Sequence, residues 1–211
     1  MLRYVYADDL HRFPRLADQM FRHRAAQFHD RLGWEVSVDG AGHERDEYDD
    51  KNPLYVIWQT ADGGHGGSMR FLPTTGDTMV NDHFRHLAGA EIRSPLIWEC
   101  TRFCLAPGAE GRVAAALMVA CGELMRGFSL EHMIGVFDAR MVRIYGRIGA
   151  APEVLGRQGC GRGMIAVGLW SYAAADRGRV FARAELDPIV SEAWFRQGFG
   201  RPIEAPAAMA G

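Results

Sequence analysis

Basic and acidic residues nearly balance in this chain, and lysine is almost absent. Lys51 is the only lysine among 24 lysine and arginine residues, and the formal net charge is only −2. Such a charge gives no reason to expect a nucleic acid or an anionic membrane as a partner. No apolar run reaches the roughly 20 residues that a membrane-spanning helix needs. The N-terminal Met-Leu-Arg-Tyr-Val-Tyr is too polar for a signal peptide, so a cytoplasmic location is expected.

Cysteine is scarce as well, with four residues and no Cys-x-x-Cys pair. No histidine cluster supplies the missing ligands, so we expect reduced, mostly packed thiols and no metal site. The glycine run at residues 62–67 is not a phosphate loop, because no helix follows it. A hairpin turn is predicted there instead. No cofactor is expected.

The length of 211 residues suits one domain, 1–211, with a frayed Ala- and Pro-rich tail at about 202–211. Strands are predicted at residues 2–6, 54–59, 68–72, 96–106, 132–137 and 164–172. Helices are predicted at residues 11–31, 79–87, 112–128, 139–148 and 187–197. Strands that meander early and later alternate with helices favour an α/β three-layer sandwich with a mixed central sheet.

The most informative stretch begins at Arg24. Arg24, Phe28 and Arg31 have helical spacing, so a guanidinium and an aromatic ring should share one face of a short helix. The helix is predicted to end at Gly33, which can adopt a positive φ, and Trp34 and an acidic loop follow. This mixture suits a ligand that is cationic, aromatic and polar. An amphipathic helix with a solvated loop would have the same composition.

Charged residues also interrupt two predicted strands, where a lone charge is costly to bury. Strand alternation puts Glu99, Thr101 and Phe103 on one face and Arg102 on the other, unless a bulge intervenes. We therefore expect a mutually neutralising cluster that joins the N-terminal segment to the sheet. Its candidate members are three arginines and three carboxylates: Arg24, Arg70, Arg102, Asp46, Asp49 and Glu99.

Several residue types at fixed gaps resemble the N-terminal signature of the acyl-homoserine-lactone synthases, the LuxI-type autoinducer synthases. His23 stands where that signature usually has an apolar or aromatic residue. The signature here reads Arg24-x3-Phe28-x2-Arg31-x2-Trp34-x-Val36-x7-Glu44-x-Asp46-x-Tyr48-Asp49. Further matches are Arg70, Phe84 and the strand motif Glu99-Cys-Thr-Arg102-Phe103.

The resemblance implies an enzyme that joins S-adenosylmethionine to an acyl thioester, giving an acyl-homoserine lactone, free carrier and methylthioadenosine. The implied fold is similar to that of the GCN5-related acetyltransferases, with the thioester in a splay between the strands near residues 96–106 and 132–137. Two other functions stay open at this point. One is an N-acyltransferase that uses acyl-CoA and another amine, and the other is an inactive ligand-binding module on the same fold.

Roles follow for the matching residues. The catalytic candidates are Glu99, as the base for the substrate amine, and Arg102. Asp46 and Asp49 either hold the arginines or contact the ammonium group of the substrate. The substrate-binding candidates are Arg24, Phe28, Trp34, Asp46, Asp49, Arg70, Phe84, Thr101 and Phe103.

For the acyl chain the resemblance suggests a pocket, but not its length. Gly135 and Asp138 depart from hydroxyl residues common in members that prefer 3-oxo chains, so the chain length and 3-position are left open. The pocket candidates are Met79, Leu105, Met125, Gly135 and Met141.

The acyl donor is expected to be an acyl carrier protein, with acyl-CoA as the alternative. The segment 106–112 keeps a proline and glycines but lacks the full CoA-binding pattern. Arg140, Arg143 and Arg147 have helical spacing and form one basic face, which suits an acidic carrier protein. A solvated helix face is the alternative interpretation.

Overall fold

The structure, a computed structural model, describes residues 1–200. The tail expected at residues 202–211 therefore lies outside the described residues. The strands are β1 (Leu2–Tyr6), β2 (Leu54–Gln59), β3 (His65–Pro73), β4 (Ile97–Leu105), β5 (His132–Asp138), β6 (Glu153–Gln158) and β7 (Ile165–Ser171). The helices are α1 (Pro14–Ala25), α2 (Met79–His83), α3 (Arg85–Ala88), α4 (Gly111–Gly127), α5 (Ala139–Ile148), α6 (Ala174–Ala184) and α7 (Pro188–Phe199).

All seven strands form one sheet in the order β1-β2-β3-β4-β5-β7-β6. Neighbouring strands are antiparallel except β4 and β5, which are parallel and are connected through α4. A parallel pair requires such a crossover. Helices α1 to α3 cover one face of the sheet and α4 to α7 cover the other. The three-layer sandwich with a mixed sheet that the sequence predicts is confirmed.

Strand β2 shows how the two layers are separated. Val56 and Trp58 belong to the large core beneath α4, whereas Tyr55 and Ile57 belong to a smaller core against α1. Successive side chains of a strand point to opposite faces, so a continuous apolar strand can serve both cores. Within residues 1–200 no helix combines the length and the hydropathy needed to cross a membrane.

Two elements are absent from the sequence prediction. Strand β6 lies at the sheet edge and has no buried residue, so its sequence lacks the apolar alternation that marks a strand. Helix α6 contains Gly178, and no side chain caps its N-terminus by a hydrogen bond. Its sequence therefore lacks the capping residue that marks the start of a helix. The first helix begins at Pro14 and not at residue 11, and β3 begins at His65, inside the predicted glycine turn.

The sheet opens between its two parallel strands. Pairing of β4 with β5 covers only three residues and ends where Glu99 lies opposite Ile134. Beyond that point β4 continues to Leu105 and β5 to Asp138 without pairing to each other. Gly135 stands at the opening, where a Cβ would lie 2.8 Å from the carbonyl oxygen of Cys100. This splay leads from one face of the sheet to the other.

Candidate active site

The aromatic wall of the site forms where the first helix ends. A π-helical turn, Ala26–Arg31, follows α1 in place of the regular helix that the sequence predicts. After this turn Gly33 adopts a φ of +65°, and Trp34 folds back onto Phe28. The two rings stack with centroids 5.3 Å apart and planes 15° from parallel. The pair forms one aromatic surface of the cavity described below, in which Phe28 is mostly buried and the guanidinium of Arg102 lies 5.4 Å from the Phe28 ring centroid.

Six charged side chains alternate in sign around a closed ring behind this surface. We call them the charge ring. Each member pairs with two neighbours of opposite charge, with N···O distances between 2.6 and 2.9 Å. The ring runs from Arg24 to Asp49, Arg70, Asp46, Arg102, Glu44 and back to Arg24. Three positive charges thus meet three negative ones.

Most of the charge ring is inaccessible to water. Burial raises the pKa of Asp49, but the guanidinium groups of Arg24 and Arg70 outweigh this effect and hold the pKa well below its ordinary value. Only Asp46 and Arg102 are partly exposed, with 13% and 11% of their side chains accessible. These two members line the cavity described below, so the ring presents one anion and one cation to a ligand.

The third carboxylate of the ring is Glu44, and not Glu99 as the sequence suggests. Glu44 is fully buried and bonds Arg24 and Arg102. It lies in a polar segment without regular structure, where no periodicity shows which carboxylate turns inward. Its only sequence signal is that it matches the first acidic position of the family signature.

A β-bulge brings Arg102 into the ring. Arg70 pairs with Thr101 and Ser68 with Cys104, so that two residues, Arg102 and Phe103, lie opposite one on β3. Arg102 has a φ of +53°, in the left-handed region. An extra residue reverses the alternation of side chains that follow it.

The bulge corrects the predicted faces of β4. Arg102 joins Thr101 on the α1 face, where Thr101 Oγ1 accepts a hydrogen bond from Arg70 at 3.0 Å. Phe103, predicted to share the face of Glu99, instead packs with the core on the α4 side.

Glu99 is buried at the start of α2. Its carboxylate accepts hydrogen bonds from the backbone N–H of Val80 at 2.6 Å and of Met79 at 3.0 Å. Burial raises its pKa to about 7, although these two donors lower it in part. Glu99 itself does not line the cavity, whereas Met79 does. The carboxylate is therefore separated from the cavity by Met79, to which it is hydrogen-bonded.

A cavity of about 980 Å³ passes through the splay between β4 and β5. Phe28, Trp34, Asp46 and Arg102 form its polar and aromatic side. Its apolar side comes from both strands and from α5, through Leu105, Val136, Phe137, Met141, Ile144 and Tyr145. Four of these residues were not among the pocket candidates, because nothing in the sequence shows which residues face a splay: Val136, Phe137, Ile144 and Tyr145.

The predicted site residues fall into three groups. Those that line the cavity are Phe28, Trp34, Asp46, Met79, Phe84, Thr101, Arg102, Phe103, Leu105, Arg140 and Met141. Those that lie buried behind its wall are Arg24, Asp49, Arg70 and Glu99. Met125 and Gly135 do not line it. Met125 instead borders a second space of about 110 Å³ beneath α4 and α6.

The basic face of α5 lies next to the cavity. Asp138 caps this helix by accepting the backbone N–H of Arg140 and Met141, and it pairs with the Arg140 side chain. Arg143 and Arg147 are exposed, and neither has an ion pair among the described residues. Met141 on the same helix lines the cavity. The two free guanidinium groups thus stand beside the site.

Comparison with known proteins shows the family of the chain. The profile of the family described as "Autoinducer synthase" matches residues 10–176. An acyl-homoserine-lactone synthase of Rhizobium etli is 42% identical over 201 residues, which cover 92% of this chain and 93% of that protein. TofI, solved in a ternary complex with an inhibitor and MTA, is 28% identical, with a TM-score of 0.67 over 82% of this chain and 91% of its own.

A third relative shows the fold. BjaI, a CoA-dependent acyl-homoserine lactone synthase solved with SAM and isopentyl-CoA, is 22% identical, with a TM-score of 0.79 over 90% of this chain and 91% of its own. The fold is also shared with an acyl-CoA N-acyltransferase, which confirms the GCN5-related architecture. The chain therefore belongs to the autoinducer synthase family, the acyl-homoserine-lactone synthases, which are acyltransferases.

Proposed function

We propose that this chain acylates the α-amine of S-adenosylmethionine from an acyl thioester and closes the product to an acyl-homoserine lactone. The observation that carries the proposal is one cavity whose aromatic and charged side continues into an apolar side across the splay. A cationic nucleoside suits the first side and a fatty acyl chain the second. TofI with MTA and BjaI with SAM and isopentyl-CoA support the same pair of substrates.

The aromatic surface is the proposed place for the nucleoside and the sulfonium. A cation over the ring of Trp34 gains about 0.5–2 kcal/mol. Phe28 supports Trp34 from behind and already has the guanidinium of Arg102 over its own ring, 5.4 Å from the centroid. Asp46 lines the cavity and is our candidate for contact with the substrate ammonium. Asp49, by contrast, pairs with Arg24 and Arg70, and the role that we propose for it is to hold these two arginines.

The first chemical step is acyl transfer. The substrate amine has a pKa near ~8 and must lose a proton before it attacks. Glu99 is the proposed base, acting through a water molecule because Met79 stands at the cavity wall. The amine then bonds to the thioester carbonyl carbon, whose oxyanion accepts hydrogen bonds from backbone N–H groups of the splayed strands. The C–S bond breaks and the carrier leaves as a thiol.

The second step is lactonisation. The substrate carboxylate attacks its own γ-carbon, and the bond from that carbon to the sulfonium breaks. The electron pair stays on sulfur, so methylthioadenosine leaves as a neutral thioether. This step mainly requires that the carboxylate be held near the γ-carbon. Both steps balance without a cofactor, and both substrates are made in the cytoplasm, which is the proposed location.

The donor that we propose is an acyl carrier protein. A CoA pyrophosphate would need the start of α4, but its N-cap residue is Glu110, whose carboxylate pairs with Arg112 at 2.5 Å. Glu110 thus already supplies an anion to the positive end of this helix, which leaves less attraction for a pyrophosphate. Arg143 and Arg147, which are exposed beside the cavity, attract an acidic protein instead.

Charge reversal tests the donor. Arg143→Glu with Arg147→Glu should raise the KM for acyl carrier protein at least tenfold at low salt, because steering by exposed charges is lost. The KM for acyl-CoA, the affinity for S-adenosylmethionine and the melting temperature should hardly change. The control is Arg12→Glu with Arg183→Glu, which makes the same charge change on other surfaces. Unchanged carrier-protein kinetics, or a clear preference for acyl-CoA, would transfer the donor role to CoA.

The function itself is tested by mass spectrometry of organic extracts from cells that express the protein. We expect an acyl-homoserine lactone, whose mass also gives the acyl chain. Purified protein should melt at a higher temperature with methylthioadenosine, because a ligand of the native state stabilises it. Production of another N-acyl amine without lactone would contradict the proposal.

A further inference from the structure

Three hydrogen-bonded side chains run from the cavity wall into the sheet, and the proposed reaction does not use them. His23 on α1 lines the cavity, and its Nδ1 lies 2.8 Å from Nδ1 of His65 on β3. Nε2 of His65 in turn lies 2.9 Å from Oγ of Ser68. We call these residues the histidine relay. His65 and Ser68 are buried, so each polar atom needs a partner.

The connectivity of the histidine relay decides which ring nitrogens carry protons. Burial and the neighbouring His23 lower the pKa of His65 to about 3, and burial lowers the pKa of His23. Near pH 7 both rings are therefore neutral, and each carries one N–H. Within residues 1–200 the Ser68 hydroxyl has no partner other than His65. A buried hydroxyl proton needs an acceptor, so Ser68 donates to Nε2 of His65.

The proton positions on both histidine rings follow from the hydrogen bond that Ser68 donates. His65, which accepts at Nε2, carries its proton on Nδ1 and donates it to Nδ1 of His23. His23 must then carry its own proton on Nε2. That nitrogen has no partner in the described part of the chain, and the ring lines the cavity. His23 thus offers the cavity a neutral donor in a fixed orientation.

We infer that the Nε2–H of His23 donates a hydrogen bond to an amide carbonyl oxygen of the pantetheine arm of the acyl thioester. Ser68 and His65 are positioning residues that fix its tautomer. The inference rests on the proposed function for the presence of such a thioester. The arm is common to CoA and to acyl carrier protein, so the bond serves either donor.

Two observations select the arm over the other substrate. Ser68 pairs with Cys104, and Gly67 with Leu105, so the relay lies beside the C-terminal end of β4. From there the segment 105–109 continues along the cavity wall. A neutral N–H also suits an uncharged amide oxygen, whereas the charged groups of S-adenosylmethionine find charged partners in Asp46 and Arg102.

Nitrogen-15 NMR of the histidine rings tests the tautomers without any substrate. We expect His23 to be protonated at Nε2 and His65 at Nδ1. In Ser68→Ala the constraint is gone, and both rings should show the opposite tautomer in part. A wild-type spectrum with His23 protonated at Nδ1 overturns the assignment, whatever the activity of the protein.

Kinetics test the contact. His23→Leu should raise the KM for octanoyl-CoA and for octanoyl-acyl carrier protein by the same factor, roughly three- to tenfold for one neutral hydrogen bond. His23→Gln, which keeps an N–H donor, should recover part of the loss. The matched control is His29→Leu, an exposed histidine on the following turn that does not line the cavity.

Affinity for S-adenosylmethionine should not change in either His23 variant. Unchanged donor KM values, or an equal loss of affinity for S-adenosylmethionine, would contradict the inference. The proposed function would fail separately, through the absence of any lactone from the wild type.

Discussion

Glu99→Gln is expected to give a folded protein that forms lactone at least a hundredfold more slowly. An amide cannot accept the amine proton, and a general base contributes about 10²–10⁴-fold. The amide oxygen can still accept one of the two N–H groups from Met79 and Val80, but its NH₂ must face the other. Loss of that hydrogen bond costs about 1–3 kcal/mol. Turnover with saturating substrates and the melting temperature measure the two effects.

The pH dependence gives a second measurement on Glu99. Because burial raises its pKa to about 7, the basic form is lost as the pH falls, and wild-type turnover should fall below about pH 7. The residual rate of the Gln variant should lack this acid limb. For stability the sign is opposite. A raised carboxyl pKa favours the folded state most below its ordinary value of 4.5, and this contribution is lost as the pH rises through 7.

The matched control is Glu131→Gln, an exposed residue just before β5. It should change neither the turnover nor the pH profile. If Glu99→Gln kept near wild-type turnover at saturation, the carboxylate would serve only to hold the start of α2.

Arg24→Met is expected to lower the free energy of unfolding by about 3–5 kcal/mol, because it leaves buried carboxylates without their partner. Glu44 and Asp49 would each lose a contact of 2.6–2.8 Å in a place with almost no access to water. Methionine has a similar length, so little space is left empty. Urea denaturation measures the change.

Arg22→Met is the control for that substitution. Arg22 lies on the same helix but is half exposed, and among residues 1–200 its one ion pair is with Asp18. Its replacement should leave the stability almost unchanged. If both variants were equally stable, the charge ring would contribute nothing beyond an ordinary surface pair.

Much of the charge ring could be predicted, and the reason is physical. Arg70 and Arg102 stand within strands, where a lone charge is costly, so partners had to exist. The acidic loop after Trp34 predicts that these partners are carboxylates. It does not show whether the third carboxylate is Glu44 or Glu99. A loop without periodicity gives no direction to its side chains. The carboxylate of Glu99 instead accepts hydrogen bonds from backbone N–H groups of a short helix. A count of charged side chains does not include such partners.

The bulge and the lining of the cavity could not be predicted from the sequence, for a different reason. Alternation assumes one residue opposite one residue, whereas the extra residue at Arg102 depends on how β3 and β4 pair. Met141 and Met125 looked equivalent as acyl-pocket candidates. They differ because one faces the splay and the other packs beneath α4 and α6.

The short pairing between β4 and β5 has a consequence for hydrogen exchange. Within residues 1–200, strand pairing between the β1–β4 part of the sheet and the β5–β7 part is limited to three residues of each strand. Amides that point into the splay lack a strand partner within residues 1–200, so small local openings suffice to exchange them, whereas those between β2 and β3 exchange only in large unfolding events. An acyl thioester in the splay would accept hydrogen bonds from these amides and slow their exchange. Deuterium uptake along β4 and β5 would then report how fully the acyl donor site is occupied.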